Sequence, residues 1–263
     1  KKFKIYAYSY GPEKKGDDIQ KKAISRVDVF HNVFNLNNNQ ILKLCQKDQI
    51  DIVVDLNGFT KNNRFSLFAS RLAPIQIGFL GYPGTSASEF MDYIIADKVV
   101  IPEDMKNYYS ENIIYLPDSF QPNDNTRVIS NKKFQKSEMN LPENGFIFCC
   151  FNNSYKITEV EFDIWMRLLK NVEGSILWLS DTNLWAKDNL KKEAKKRGIE
   201  PDRIIFAKKE KKISDHLSRL GLADLFLDTF NYNAHTTASD ALWAGLPILT
   251  KMGRSFSARV ASS

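Results

Sequence analysis

An apolar segment followed by a polar turn and a short helix, near the end of the chain, constrains the fold most. Residues 222–229 have the composition of a buried strand, and the helix that follows the Asn-rich turn carries Ala241, Leu242 and Ala244 as apolar positions. Gly245 and Pro247 predict the end of that helix. A strand, a loop and a helix in this order indicate an α/β fold.

The start of this helix allows two interpretations. Its first turn offers the hydroxyls of Thr236 and Thr237, backbone N–H groups without helical partners, and the positive end of the helix dipole, which together suit a phosphate. Thr237 and Asp240 also match a capping box, in which both side chains bond to the helix start and no ligand is involved. The local pattern leaves both interpretations open.

The alternation of strands and helices extends over the whole chain. Residues 50–56 are apolar on both sides of the strand alternation and predict a parallel strand covered by helices on both faces. The polar residues 121–136 have the weakest pattern and predict a link between domains. We therefore predict an α/β protein with two Rossmann-like domains, residues 1–135 and 136–263, which face each other across a cleft with ligands at the carboxyl ends of the strands.

Composition and charge narrow the class of protein. With 43% hydrophobic and 26% charged residues the chain is typical of a globular protein, and its net charge of +6 is compatible with an anionic substrate. The Lys-rich residues 191–196 and 208–212 accompany helical patterns and indicate solvated faces, and no RNA-binding motif is present. The adjacent Cys149 and Cys150 in an apolar run predict buried, reduced thiols. We expect a cytoplasmic protein that binds neither nucleic acid nor a membrane.

The two ends of the sequence suggest a piece of a longer protein. The chain begins in a strand-like alternation at residues 3–8 and stops in a helix-like pattern at residues 256–263. We expect the first domain to be incomplete at its N-terminus and the second to be truncated at its C-terminus.

Polar clusters follow three predicted strands of the second domain, at residues 152–156, 208–219 and 233–240. Because these strands are predicted to be parallel, the clusters should lie on one rim of the sheet. Lys156 and the N-terminus of a helix on the same rim are two devices that hold a diphosphate. His235, directly before two threonines, is a stronger candidate for a ligand contact than His216.

A metal site has little support in the sequence. There is no Asp-X-Asp motif and no Cys/His spacing typical of a metal site, so we predict neither a metal nor another cofactor. A departing diphosphate would then be stabilised by Lys156 and by the N–H groups of Thr236 and Thr237.

Several longer motifs occur in order along the chain. They are residues 55–60 (DLNGFT), 73–76 (APIQ), 80–86 (LGYPGTS), 92–97 (DYIIAD), 109–111 (YSE), 151–157 (FNNSYKI), 177–179 (LWL) and 233–245. Together they resemble the catalytic region of the O-linked N-acetylglucosamine transferase (SPINDLY-like) glycosyltransferases, family 41, in their bacterial form. The resemblance covers almost the whole chain.

This resemblance implies a GT-B fold and a metal-independent, inverting transfer of N-acetylglucosamine (GlcNAc) from the uridine diphosphate sugar UDP-GlcNAc to Ser or Thr hydroxyls of proteins. Family members carry a strand and a His-bearing loop before the position of Lys1, and upstream tetratricopeptide repeats that recruit the acceptor. We therefore expect such repeats in the full-length parent, and we expect that this chain alone is inactive.

The resemblance also implies roles for individual residues. Lys156 would contact the diphosphate and stabilise the leaving group. Thr236 and Thr237 would hold phosphate, with His235 beside them, and Asp240 would accept hydrogen bonds from the ribose hydroxyls.

Further implied contacts concern the base and the sugar. His216 would stack near the uracil with Arg219 close by. Asn153 would contact the diphosphate, at a position where family members often carry the longer Gln. Neither Asp48 nor Asp51 is assigned as the general base. The loop that would face the sugar from the first domain contains Gly81, Tyr82 and Pro83.

Two alternatives stay open at this point. The same fold can use another donor, GDP-fucose or a UDP-hexose, and the chain can instead be a non-catalytic nucleotide-sugar-binding protein.

Overall fold

The computed structural model describes residues 2–12, 16 and 18–263. These residues form two compact units, which we call the first and the second unit. The first unit comprises Lys1–Tyr82, Ser86–Ile94 and Ser110–Asn112, and the second comprises Pro83–Thr85, Ile95–Tyr109 and Ile113–Ser263. The domain boundary after residue 135 stays a prediction.

Strands and helices alternate along the chain, which confirms the predicted α/β class. The strands are β1 (Tyr6–Ser9), β2 (Val29–Asn32), β3 (Ile52–Asp55), β4 (Ile75–Gly78), β5 (Tyr93–Ala96), β6 (Asn112–Tyr115), β7 (Ile147–Cys150), β8 (Ile176–Ser180), β9 (Ile204–Ala207), β10 (Leu225–Leu227) and β11 (Ile248–Leu249). The α-helices are α1 (Asp18–Ile24), α2 (Asn38–Lys47), α3 (Glu159–Asn171), α4 (Leu184–Lys196), α5 (Ile213–Arg219) and α6 (Thr236–Trp243). Short 3₁₀ helices occupy Phe65–Ser70, Glu103–Tyr108, Ser137–Met139, Ser154–Lys156, Pro201–Arg203, Leu220–Leu222, Phe256–Ala258 and Val260–Ser262.

In the first half of the chain, β1 pairs with β2, and a four-stranded sheet has the order β3-β4-β5-β6. The pairs β1–β2, β3–β4 and β4–β5 are parallel. Helix α2 begins with a capping box in which Asn37 and Gln40 each accept a hydrogen bond from the other's backbone N–H, at 3.0 and 2.8 Å. The helix buries Ile41 and Cys45.

The prediction that β3 is covered on both faces is wrong. Val53 packs with the cluster that contains Ile41 and Cys45, but Ile52 and Val54 on the opposite face are 45% and 41% exposed. Because neighbouring side chains of a strand point to opposite faces, α2 covers only one face of β3.

The second unit is built on a five-stranded sheet of order β11-β10-β7-β8-β9, in which every pairing is parallel. Its central strands are fully buried, as shown by Cys149, Leu177 and Trp178 at 0% exposure. Cys149 and Cys150 are buried free thiols, as the sequence predicts, and burial raises the pKa of Cys150 to about 12. Such thiols stay protonated and unreactive at neutral pH.

The start of α3 and the order of the strands position the site. A capping box of Thr158 and Glu161 starts α3, the helix after β7. The chain runs from β7 outward to β9 and then returns to β10 on the other side of β7. The loops after β7 and β10 therefore lie side by side at a topological switch point, where open α/β sheets bind their ligands.

Among the helices of the described residues, none is long and apolar enough to cross a membrane.

Candidate functional site

The carboxylate of Asp228 anchors the loop that follows β10. Asp228 is 1% exposed, and its Oδ1 accepts hydrogen bonds from the N–H groups of Thr229 and Ala234, at 2.8 and 2.6 Å. Oδ1 also accepts from the side-chain amide of Asn152 at 3.1 Å, and Oδ2 accepts from the hydroxyl of Thr250 at 2.6 Å. Burial raises the pKa of this carboxyl, and these hydrogen bonds oppose that rise. Asp228 was not predicted as a site residue, although an acidic residue at the end of an apolar strand is a usable signal.

Asn152, directly after β7, links this loop to α6. Its amide nitrogen also donates to Oγ1 of Thr229 at 2.8 Å, and its amide oxygen accepts from the hydroxyl of Thr237 at 2.6 Å. The hydroxyl of Thr229 donates to the carbonyl of Tyr232 at 2.6 Å, and the amide of Asn233 donates to the carbonyl of Thr229 at 2.8 Å. The buried network fixes the ends of two strands and the start of α6 relative to one another.

Lys156 lies in the 3₁₀ turn after β7, against the loop that Asp228 anchors. Its Nζ donates to the carbonyl of Asn233 at 2.9 Å and lies 4.0 Å from the ring centroid of Tyr232. Burial lowers the pKa of Lys156 to about 8, while the nearby Asp228 carboxylate acts to raise it. The ammonium group is therefore charged at neutral pH, and only one of its three hydrogens is bonded within the described part of the chain.

Helix α6 begins at Thr236, with His235 at the N-cap and no side chain capping the helix. The capping-box interpretation is therefore wrong: the hydroxyl of Thr237 donates to Asn152, and the carboxylate of Asp240 pairs with Arg127. In residues 18–263 the backbone N–H groups of Thr236 and Thr237 have no hydrogen-bond partner. These two N–H groups at the positive end of the helix dipole are available to an anion.

His235 is a neutral side chain beside this helix start. Its ring stacks on Tyr232 with centroids 4.8 Å apart, and its Nε2 lies 3.4 Å from the carbonyl oxygen of Ser257. Burial, and next the charge of Lys156, lower the pKa of His235 to about 4. At neutral pH the positive charge of this cluster belongs to Lys156 alone.

A second cluster joins α5 to the middle of α6. Oδ1 of Asp240 lies 2.5 Å from Nη2 of Arg127, and its Oδ2 lies 3.8 Å from Nε2 of His216. The guanidinium of Arg219 is buried, donates to the carbonyl of Lys208 and contacts Nδ1 of His216 from Nη2 at 3.0 Å. Burial, and next the charge of Arg219, lower the pKa of His216, whereas Asp240 opposes this. His216 is therefore neutral at pH 7.

The remaining predicted residues are placed as follows. Asn153 is exposed, and its carbonyl accepts from the N–H of Lys156 at 2.9 Å. Gly81 and Tyr82 belong to the first unit, and Pro83 belongs to the second. A Cβ on Gly81 would overlap the carbonyl oxygen of Leu56, so this loop requires glycine at that position.

The structure thus brings the predicted residues of the second unit into two clusters. One contains Lys156, His235, Thr236 and Thr237, and the other contains His216, Arg219 and Asp240. The roles predicted for these residues, and for Asn153 and the loop at residues 81–83, stay predictions. The described residues contain no group of three or more His, Cys, Asp or Glu side chains that could hold a metal ion.

Comparisons with known proteins agree with this architecture. The model of Glycosyl transferase family 41 matches residues 1–137 and 133–263. The chain is 38% identical to a probable UDP-N-acetylglucosamine–peptide N-acetylglucosaminyltransferase, SEC, of Arabidopsis thaliana, over 91% of this chain and 25% of that protein. It is 27% identical to a UDP-N-acetylglucosamine–peptide N-acetylglucosaminyltransferase of Caenorhabditis elegans, over 94% of this chain and 31% of that protein. The chain thus spans about a quarter to a third of the length of these relatives.

Solved structures show the same fold. A mutant O-GlcNAc transferase of Thermobaculum terrenum superimposes with a TM-score of 0.88 and 26% identity, covering 98% of this chain and 48% of that one. The predicted fold class, an α/β protein of the GT-B type, is confirmed by this likeness. Since the family model matches the chain from its first residue to its last, the protein belongs to Glycosyl transferase family 41.

Proposed function

We propose that the chain is the catalytic region of a glycosyltransferase that moves GlcNAc from UDP-GlcNAc to Ser or Thr hydroxyls of proteins, with inversion and without a metal ion. Support comes from the family and from the activity that the names of its relatives state. Because the chain spans only part of those relatives, their donor and acceptor are carried over here as a proposal.

The main support for the proposal is that a cation and two backbone N–H groups without a hydrogen-bond partner in residues 18–263 lie near the start of the same helix. Lys156 is held on the carbonyl of Asn233, three residues before α6, and the N–H groups of Thr236 and Thr237 start that helix. An ammonium group and a helix N-terminus are both complementary to a diphosphate. The buried network around Asp228 fixes them in advance, so little reorganisation is needed when negative charge develops.

This arrangement suits a single displacement. The acceptor hydroxyl oxygen forms a bond to the anomeric carbon as the bond from that carbon to the β-phosphate oxygen breaks, which inverts the configuration. The bonding electrons leave with UDP, whose growing negative charge is stabilised by Lys156 and by the N–H groups of Thr236 and Thr237. The hydroxyl proton passes to a base that we do not assign to a residue.

A nucleotide binding panel tests the donor class. We expect the chain to bind UDP and UDP-GlcNAc at least about tenfold more tightly than GDP and GDP-fucose, with affinities unchanged by magnesium or a chelator. Calorimetry with the purified chain measures this, and transfer of labelled GlcNAc to a peptide pool by the full-length protein measures the reaction.

The outcomes of the panel separate the alternatives. A preference for GDP would replace the uridine donor, and loss of binding on chelation would contradict metal independence. Tight UDP binding with no transfer by the full-length protein would identify a non-catalytic binder.

The pH dependence of UDP binding follows from Lys156. The pKa of the free lysine is lowered to about 8, and a bound diphosphate must raise it, because the charged form binds the anion. We expect the affinity for UDP to be constant below pH 8 and to fall by up to about tenfold per pH unit above it. Calorimetry between pH 7 and pH 9.5 measures the slope.

Lys156→Gln is the control for this slope. It removes the titrating group, so its weaker UDP affinity should vary with pH only through the nucleotide itself. A slope in the variant equal to that of the wild type would show that another group is responsible.

A further inference from the structure

The polar segment of residues 121–132, which we call the strap, is fixed to two helices of the second unit. Its Gln121 side chain donates to Oγ of Ser239 at 3.2 Å, and Nε1 of Trp243 donates to the carbonyl of Arg127 at 3.2 Å, both on α6. On α5, the hydroxyl of Ser218 donates to the carbonyl of Lys132 at 2.6 Å. The segment that the sequence predicts as a plain domain link therefore lies against both helices that carry the second cluster.

Arg127 is a charged residue of the strap whose side chain is largely buried. Residues 122–126 are exposed, whereas the side chain of Arg127 is only 20% exposed. Its Nη2 lies 2.5 Å from Oδ1 of Asp240, which is itself 14% exposed. A charge-assisted hydrogen bond of this length between half-buried groups holds the carboxylate in one orientation.

The other oxygen of Asp240 faces a hydrogen-bond donor across a gap. In the described part of the chain, Oδ2 makes no hydrogen bond, and its distance of 3.8 Å to Nε2 of His216 is too long for one. Nδ1 of His216 accepts from Arg219, whose Nε and Nη2 lie 3.2 and 3.0 Å away. Since arginine only donates, the neutral ring carries its hydrogen on Nε2.

A hydroxyl group fits this gap chemically. Placed at hydrogen-bond distance from both atoms, it would accept from the Nε2–H of His216 and donate to Oδ2 of Asp240. An ammonium group can only donate, and a carbonyl oxygen can only accept. Each could therefore satisfy only one of these two atoms. The pair therefore suits a group that both donates and accepts, such as a hydroxyl, and the ribose of a nucleotide carries two.

We propose that Arg127 is a positioning residue of the donor site, which holds Oδ1 of Asp240 so that Oδ2 and the Nε2–H of His216 receive a ribose hydroxyl between them. This inference rests on the proposed function, because the hydroxyl belongs to UDP. Without Arg127, the carboxylate rotates toward His216 and pairs with it directly, which closes the gap.

The test compares nucleotides that differ by one hydroxyl. The Kd values of UDP, 2′-deoxy-UDP and 3′-deoxy-UDP are measured by calorimetry for the wild type, Arg127→Gln, Asp240→Asn and the double variant. We expect Arg127→Gln to raise the Kd of UDP by about tenfold and to leave almost unchanged the Kd of the deoxy analogue that the wild type binds more weakly. The ratio of these two affinities should then be close to one. The double variant should lose no more affinity for UDP than Asp240→Asn loses alone.

Gln121→Ala is the matched control, because it removes the other side-chain contact of the strap with α6 and keeps the Arg127–Asp240 pair. It should retain the affinity ratio of the wild type. Equal losses for UDP and both deoxy analogues in Arg127→Gln, or the same loss of ratio in Gln121→Ala, would overturn the role of Arg127 and leave the strap a structural element. Absence of UDP binding by the wild type would instead contradict the proposed function.

Discussion

Replacing Lys156 with alanine is expected to lower the turnover of sugar transfer by about 10²- to 10³-fold or more, while the protein stays folded. The ammonium group is the one positive charge of the cluster at the start of α6, and it lies on the carbonyl of Asn233. In the proposed reaction its charge is complementary to the negative charge that grows as the bond from the sugar to UDP breaks, so its loss should raise the barrier more than it weakens ground-state binding. Turnover of the full-length protein with UDP-GlcNAc and a peptide acceptor measures the effect, and circular dichroism measures the fold.

Lys187→Ala is the matched control for this prediction. Lys187 also belongs to the second unit, lies 3.2 Å from a carboxylate oxygen of Asp181 and 5.4 Å from the ring centroid of Phe206. The two variants remove the same charge and a similar contact with an aromatic ring. Turnover should change less than about twofold in Lys187→Ala, since surface ion pairs contribute little to stability. Unimpaired turnover in Lys156→Ala would remove Lys156 from the catalytic assignment.

Replacing Asp228 with alanine is expected to lower the free energy of unfolding by about 3–5 kcal/mol. The substitution leaves the N–H groups of Thr229 and Ala234, the amide of Asn152 and the hydroxyl of Thr250 without their acceptor in a buried environment. In a chain of this size the loss corresponds to a fall of about 10 °C in Tm. Thermal unfolding followed by circular dichroism measures it.

Asp228→Asn separates the hydrogen bonds from the charge. Its amide oxygen can take the place of Oδ1, and its amide nitrogen can donate to the hydroxyl of Thr250, which then accepts. We expect a loss of about 1 kcal/mol or less. Because the Asp228 carboxylate raises the pKa of Lys156, the Asn variant should also move the midpoint of the UDP pH profile below 8. Equal destabilisation by Ala and Asn would contradict the hydrogen-bond explanation.

Together, the two substitutions connect stability to function. The loop anchored by Asp228 also supplies the carbonyl of Asn233, on which Lys156 is held. A change in this buried network therefore alters both the position and the pKa of Lys156, the group that we propose to face the leaving diphosphate.

Local patterns were enough to predict much of the fold. The alternation of apolar segments identified the strands of the second unit, and Gly245, at a φ of +81°, marks the end of α6. Each of these features depends on hydrogen bonds or side-chain periodicity within a few residues. For that reason they can be inferred without knowledge of the rest of the chain.

The start of α6 shows where local patterns fail. Thr237 and Asp240 have the spacing of a capping box, but Thr237 bonds to Asn152, 85 positions away, and Asp240 pairs with Arg127, 113 positions away. These partners compete with the helix start for the same side chains, and the residues of the first helical turn give no indication of them. The exposed face of β3 is a similar case, because coverage depends on where α2 packs.

The sequence by itself determined the α/β class, the family resemblance and the candidate residues after the strands, since all three rest on residue order and spacing. Only the tertiary structure decided that Asp228 organises the loop, that Lys156 has a lowered pKa, and that the carboxylate of Asp240 turns toward Arg127 and His216. The physical reason is that burial and hydrogen-bond partners come from segments far apart in the chain, which meet only when β7 and β10 pair.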